Sequence, residues 1–162
     1  MSTINRINQN HLSWFENIIR KLCKKAVAKL DKSDSAFRIA KKHLFRPLDY
    51  HACADFVSCY QLLNPLSGMT ILDISSHQWF LLCLAKIYPE TKFVYCTILK
   101  KDIEPFETLA RINLLDNIQF SQQDVRKLEF ENNYFDHVVS ISVLEHIYPE
   151  QDGDIIAFKE IR

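Results

Sequence analysis

Three acidic residues and one histidine stand where this sequence places chemistry most readily. Asp73 sits at the end of the apolar run Met69–Ile74, and Asp124 follows Ile118–Ser121 within Gln-Gln-Asp-Val. Glu145-His146 follows the β-branched run Phe135–Ser142. Each has a plain structural alternative. Asp73 can cap the loop or helix after its strand, Asp124 can be an ordinary turn residue, and Glu145-His146 can cap the next helix in solvent. No metal site is expected, because there is no C-x-x-C pair and the six histidines lack paired ligand spacing. The five cysteines are odd in number, widely spaced and mostly in apolar context. They are expected to be buried thiols in a cytoplasmic setting.

The elements that must position these groups follow from periodicity. Ser13 and Glu16 have capping-box spacing, and from there Trp14, Phe15, Ile18, Ile19, Leu22, Cys23, Ala26, Val27 and Leu30 recur on one helical face. Lys and Arg residues occupy the other face, so the helix is expected to pack on the domain or a partner rather than lie on lipid. Shorter helices are expected over 36–44 and 49–63, with breaks at Arg46-Pro47, Asn64-Pro65 and Ser67-Gly68. The rhythm then changes. Strands are expected over 69–74, 92–98, 118–121 and 135–142, alternating with helices over 80–88, 104–115 and 152–161. Pro105 would fall in the first turn of the middle helix. Near-continuous apolar strands between helices predict an α/β fold with a parallel sheet and right-handed crossovers. The domains are expected at 1–68 (helical) and 69–162 (α/β).

Composition bounds the partners. The chain has 162 residues, enough for one sizeable core, with 48% hydrophobic and 25% charged residues. Twenty basic and twenty acidic side chains cancel, so no global field favours nucleic acid. No apolar run approaches the ~20 residues of a membrane span, and Met1–Asn10 is too polar to be expected as a signal peptide. There are only two glycines, against about eleven at ordinary usage of ~7%.

Residues 69–162 resemble class I S-adenosylmethionine-dependent methyltransferases, particularly the small-molecule branch often called type 11. Met69-Thr70-Ile71-Leu72-Asp73-Ile74 is similar to that family's first strand with its acidic residue. Residues 118–125, from Ile118 to Val125, are similar to the third strand and the aspartate that meets the adenine. Phe135-Asp136-His137-Val138-Val139-Ser140-Ile141-Ser142-Val143-Leu144-Glu145-His146-Ile147 is similar to the fourth strand and its loop, and is the most specific stretch. The resemblance implies S-adenosylmethionine as cofactor, held by Asp73, Ser75, His77, Thr97, Asp124 and Val125. Glu145 and His146 would face a small-molecule methyl acceptor.

Three departures qualify that expectation. Where the family carries three glycines after the first strand, this chain has Ser75, His77 and Trp79. A left-handed conformation at any of them costs ~1–2 kcal/mol, and the imidazole and indole would need volume where the cofactor lies. Trp79 and Phe80 otherwise fit a core or pocket-filling role better than a stacking platform. Thr97 occupies the place of the ribose-gripping acid, with Asp102 five residues farther on. The resemblance implies a partial Rossmann-like sheet of four strands in the order 3-2-1-4, and the sequence stops after the helix following the fourth. A fragment of a longer chain, a truncated domain, or an edge covered by something else is therefore expected, with 135–142 as that edge, lacking proline, lysine and glycine. That edge predicts a homodimer paired fourth strand to fourth strand, or an aggregation-prone chain. The expected function is a methyltransferase impaired in cofactor binding. A non-catalytic interaction or structural module is the alternative, and a nucleotide-binding oxidoreductase is a weaker third.

Overall fold

A computed structural model describes residues 9–46, 48–63, 67–147 and 152–162. The expected breaks at Pro47 and Asn64-Pro65, and the polar start before residue 9, lie outside them. Contacts divide the chain into two compact units, Met1–Asn64 and Pro65–Arg162.

The first unit holds α1 (Gln9–Lys29), α2 (Ser35–Phe45) and α3 (Tyr50–Leu63). Helix α1 starts four residues before the expected Ser13 cap, since no glycine or proline interrupts the residues before it. Its apolar stripe of Phe15, Ile19, Leu22, Cys23 and Ala26 is buried against α2 and α3. Phe15 packs edge-on to Phe56 and Tyr60. Asp34 caps α2 by accepting a 2.7 Å bond from the Ala36 amide, which satisfies one of the orphan donors of the first turn. The stripe is thus covered within its own unit, as the packed-helix expectation requires.

The second unit is the α/β domain. Its strands are β1 (Thr70–Ile74), β2 (Lys92–Thr97), β3 (Ile118–Gln122) and β4 (His137–Val139). All pair in parallel, in the expected order β3-β2-β1-β4. Alternation along the strands places Leu72, Ile74, Val94 and Cys96 on one face. There they are covered by Val125, Leu128, Phe130, Phe135, Val138 and Ile161. Ile71, Asp73, Phe93 and Tyr95 project from the opposite face and are also buried. Each fully buried aliphatic or aromatic side chain of this kind contributes ~1.5–3 kcal/mol. Helix α4 (Gln78–Ile87) is buried from Trp79 to Ala85, and α6 (Gly153–Ile161) ends the domain.

Two elements differ from expectation. Helix α5 (Lys100–Asn113) starts four residues early, so Pro105 lies inside it rather than in its first turn. The carbonyl deprived of its helical partner belongs to Lys101, an exposed residue that water can serve. Strand β4 spans three residues instead of eight. Its ladder opens where the Asp136 amide donates to the Thr70 carbonyl at 2.8 Å. It closes after Asp73↔Val139, because β1 itself turns away at Ile74. Ser142 then adopts a left-handed φ of 54°, and Leu144–His146 form a 3-10 turn.

Candidate functional site

The four strands deliver their carboxyl ends to one edge of the domain, where parallel sheets bind ligands at the point of strand-order reversal. Here β1 is that point. The chain leaving it passes through Ser75, whose φ of 51° is left-handed. The Ser75 amide and Oγ both donate to the Cys96 carbonyl, at 2.8 and 3.0 Å. That second bond offsets part of the conformational cost. The other two glycine-replacing positions are unstrained. His77 has φ −61° and is exposed at the N-terminus of α4, and Trp79 is already helical. The indole is wholly buried, edge-on to Phe106 with centroids 5.7 Å apart. Neither ring lines the cavity described below, which corrects the expectation that they would occupy it.

Asp73 is 1% exposed. Its Oδ1 accepts the Ser76 amide at 2.9 Å, and its Oδ2 has no hydrogen-bond partner among the described residues. Burial pushes its carboxyl up to about 7, and the bonds from Ser76 offset this only in part. Ser76 also ties the first loop to the last, since its Oγ accepts the Ile141 amide at 2.9 Å.

At the end of β2, Thr97 is nearly buried and its Oγ1 accepts from the Leu99 amide at 3.3 Å. At the end of β3, Asp124 is held in a fork by Arg126. Nε donates to both carboxylate oxygens at 3.0 and 3.1 Å, Nη2 to Oδ2 at 2.7 Å, and the Arg126 amide to Oδ1 at 2.9 Å. Those side-chain bonds hold the Asp124 carboxyl below its ordinary range. Beyond β4, Glu145 and His146 lie on the 3-10 turn, both exposed, with Oε1 and Nε2 3.9 Å apart. Gly153 backs this turn. A Cβ there would meet the Ile147 carbonyl oxygen at 2.8 Å, so only glycine allows the approach.

These ends surround a cavity of about 400 Å³, within the size range of small-molecule and cofactor sites. Of the residues singled out from sequence, Ser75, Thr97, Asp124, Val125 and His146 line it. Asp73 lies just behind its Ile74–Ser75 wall, while His77 and Glu145 do not line it. Gln78, Tyr95 and Arg126 are among the lining residues that were not singled out, and Asp102, noted only as an acid beyond Thr97, also lines it. Arg126 was signalled only by its spacing from Asp124, and Asp102 by its place after β2. A larger groove, about 510 Å³, runs beside Phe135, Val138 and the end of α6, away from these groups. Among the described residues no His, Cys, Asp and Glu cluster could hold a metal ion. No helix among these residues is long and apolar enough to cross a membrane.

The cavity suits a nucleoside-sized polar ligand. It has the volume, a left-handed turn beneath it, and an unpartnered carboxylate oxygen behind its wall. Known proteins point the same way. The chain matches a family described as a methyltransferase domain over residues 71–161. No curated protein matches it by sequence. Among solved structures, the YcgJ protein of Bacillus subtilis is similar at 15% identity with a TM-score of 0.55, over 68% of this chain and 45% of that one. Coclaurine N-methyltransferase bound to N-methylheliamine and SAH is similar at 16% identity and TM-score 0.53, over 83% and 50%. A Methanococcus maripaludis protein described as an S-adenosyl-L-methionine-dependent methyltransferase is similar at 16% identity and TM-score 0.52, over 99% and 62%. The chain thus covers less than two thirds of each of these structures. At such identities the likeness is one of fold. The family match runs from the first strand into the last helix, across more than half of the chain, and the chain belongs to the methyltransferase-domain family in its class I, Rossmann-like form.

Proposed function

We propose that this chain is an S-adenosylmethionine-dependent methyltransferase acting on a small molecule in the cytoplasm, with weakened cofactor binding. The carrying observation is the cavity at the carboxyl ends of β1, β2 and β3, built around the β1 turn. Bound there, the cofactor would supply a methyl group on a positively charged sulfonium, open to in-line displacement. The chain's part is positional. Ser75 turns the backbone under the ligand, and Asp124 and Val125 present the end of β3 to its adenine. His146, which lines the cavity, takes up the acceptor's proton, with Glu145 beside it on the same turn. Binding is weakened because the Thr97 hydroxyl is engaged by its own backbone and Asp124 is committed to Arg126. A dissociation constant in the high micromolar range is expected, on the order of −5 kcal/mol. The cysteines, thiols rather than disulfides, support the cytoplasmic assignment.

The same two commitments favour a second reading, a non-catalytic interaction module. Titration with S-adenosylmethionine and, separately, with a nicotinamide nucleotide distinguishes them. Binding of the first alone supports the methyltransferase, binding of neither supports the module, and binding of the second alone supports an oxidoreductase.

Homodimerisation is also proposed, in modified form. Strand β4 is a sheet edge among the described residues but offers only three residues for pairing. Phe158 and Ile155 on α6, 65% and 47% exposed, offer more apolar surface. Val139 is buried, so a charge there would unfold the edge rather than probe it. Phe158→Lys is the cleaner probe. It should shift a dimer toward monomer in sedimentation, and a monomeric wild type at micromolar concentration would overturn the proposal.

A further inference from the structure

Two helices leave the carboxyl edge of the sheet and each sends one polar side chain to the cavity: Gln78 from α4 and Asp102 from the first turn of α5. Between them lies Tyr95 of β2, buried but reaching the same cavity. Its hydroxyl is hydrogen-bonded with the Gln78 side chain and feels the Asp102 carboxylate, one of the charges that raise its pKa beyond the effect of burial. The two helix termini therefore converge on one spot above β2.

The carboxylates near the cavity differ in what remains open to a ligand. Asp124 accepts four hydrogen bonds from Arg126. Asp73 is buried behind the wall. Asp102 lines the cavity, is only half-buried, and its carboxylate accepts no hydrogen bond and joins no ion pair among the described residues. Because α5 begins at Lys100, Asp102 stands on a formed helical turn beside the cavity.

We propose that Asp102, reaching from the first turn of α5, grips the vicinal hydroxyls of the ligand's ribose, in place of a residue at the end of β2. This rests on the cofactor reading above. A carboxylate has two oxygens and about four acceptor sites, enough for both hydroxyls, whereas the Thr97 hydroxyl is already in use. Gln78, held by Tyr95, adds a second polar group beside the same hydroxyls.

The test uses the whole chain, Asp102→Asn, and two probes: S-adenosylhomocysteine and its 2′,3′-dideoxy analogue, titrated by NMR. Asp102→Asn should weaken S-adenosylhomocysteine about tenfold or more and leave the dideoxy analogue's affinity unchanged. Unchanged affinity for S-adenosylhomocysteine, or equal losses for both probes, would overturn the assignment of Asp102 while sparing the cofactor reading. A wild type that binds neither probe overturns the cofactor reading, and this inference with it. Because the side chain is half-exposed on a surface helix, an unchanged melting temperature is expected and separates binding from folding.

Discussion

The turn after β1 and the turn after β4 sit side by side, and they fail expectation in opposite ways. The first is the least family-like stretch of the sequence, with Ser75, His77 and Trp79 in place of three glycines, yet it forms an open, unobstructed turn. The second is the best match to the family, yet its strand is cut to three residues. The difference shows what each signal reports. Losing a glycine costs only where φ is positive or a ligand needs the space, and here only Ser75 meets that condition. An apolar run becomes a strand only as far as its neighbour offers ladder partners. Beyond Val139, Ile141 finds the Ser76 hydroxyl instead of β1.

That contrast can be broken at its strongest point first. Trp79→Gly restores the family residue but removes a wholly buried indole from α4. It should destabilise the fold by ~4 kcal/mol in chemical denaturation and leave ligand affinity no better. A stable variant with tighter binding would mean the indole obstructs the site. Asp73→Asn comes next. The wild-type carboxyl, raised from 3.8 to about 7, makes a contribution to stability that is fully present below pH 3.8 and is lost as pH rises through about 7. The asparagine does not titrate, so its stability relative to wild type should grow on the order of 4 kcal/mol between those values and then level off. A pH-independent difference would show that Asp73 is ionised without cost.

Ser76→Ala removes the link between the two turns. Leaving the Ile141 amide without its partner should cost ~1–2 kcal/mol and speed that amide's hydrogen exchange. Unchanged exchange would detach the β4 turn from the β1 turn. Ser75→Gly should do least. Relief of the left-handed cost and loss of the Oγ bond to Cys96 nearly cancel, giving a change under about 0.5 kcal/mol. A gain above ~1 kcal/mol would show that the hydroxyl contributes nothing.

Element types were legible because the apolar runs of β1 and β2 are short, bounded and buried on both faces, whereas the strand order was legible only through the resemblance carried by 69–74, 118–125 and 135–147. Helix α5 was misplaced because Pro105 marks a first turn in most sequences, whereas here the exposed Lys101 carbonyl tolerates the missing donor. The early start of α5 is also what brings Asp102 to the cavity. Arg126 escaped notice for another reason: its importance lies in a fork around Asp124 that depends on the bend after β3. Residues such as Ser75 and Thr97 were found because they replace expected types at countable positions. Gln78 and Asp102 become site residues only once two helices converge in space.

Calorimetric titration of the wild-type chain with S-adenosylmethionine tests the central claim most directly. The cavity should take one molecule per chain with a dissociation constant in the high micromolar range, on the order of 10⁻⁴ M. No saturable binding up to millimolar ligand would contradict a working cofactor site, and a sub-micromolar constant would contradict the weakening assigned to Thr97 and Asp124.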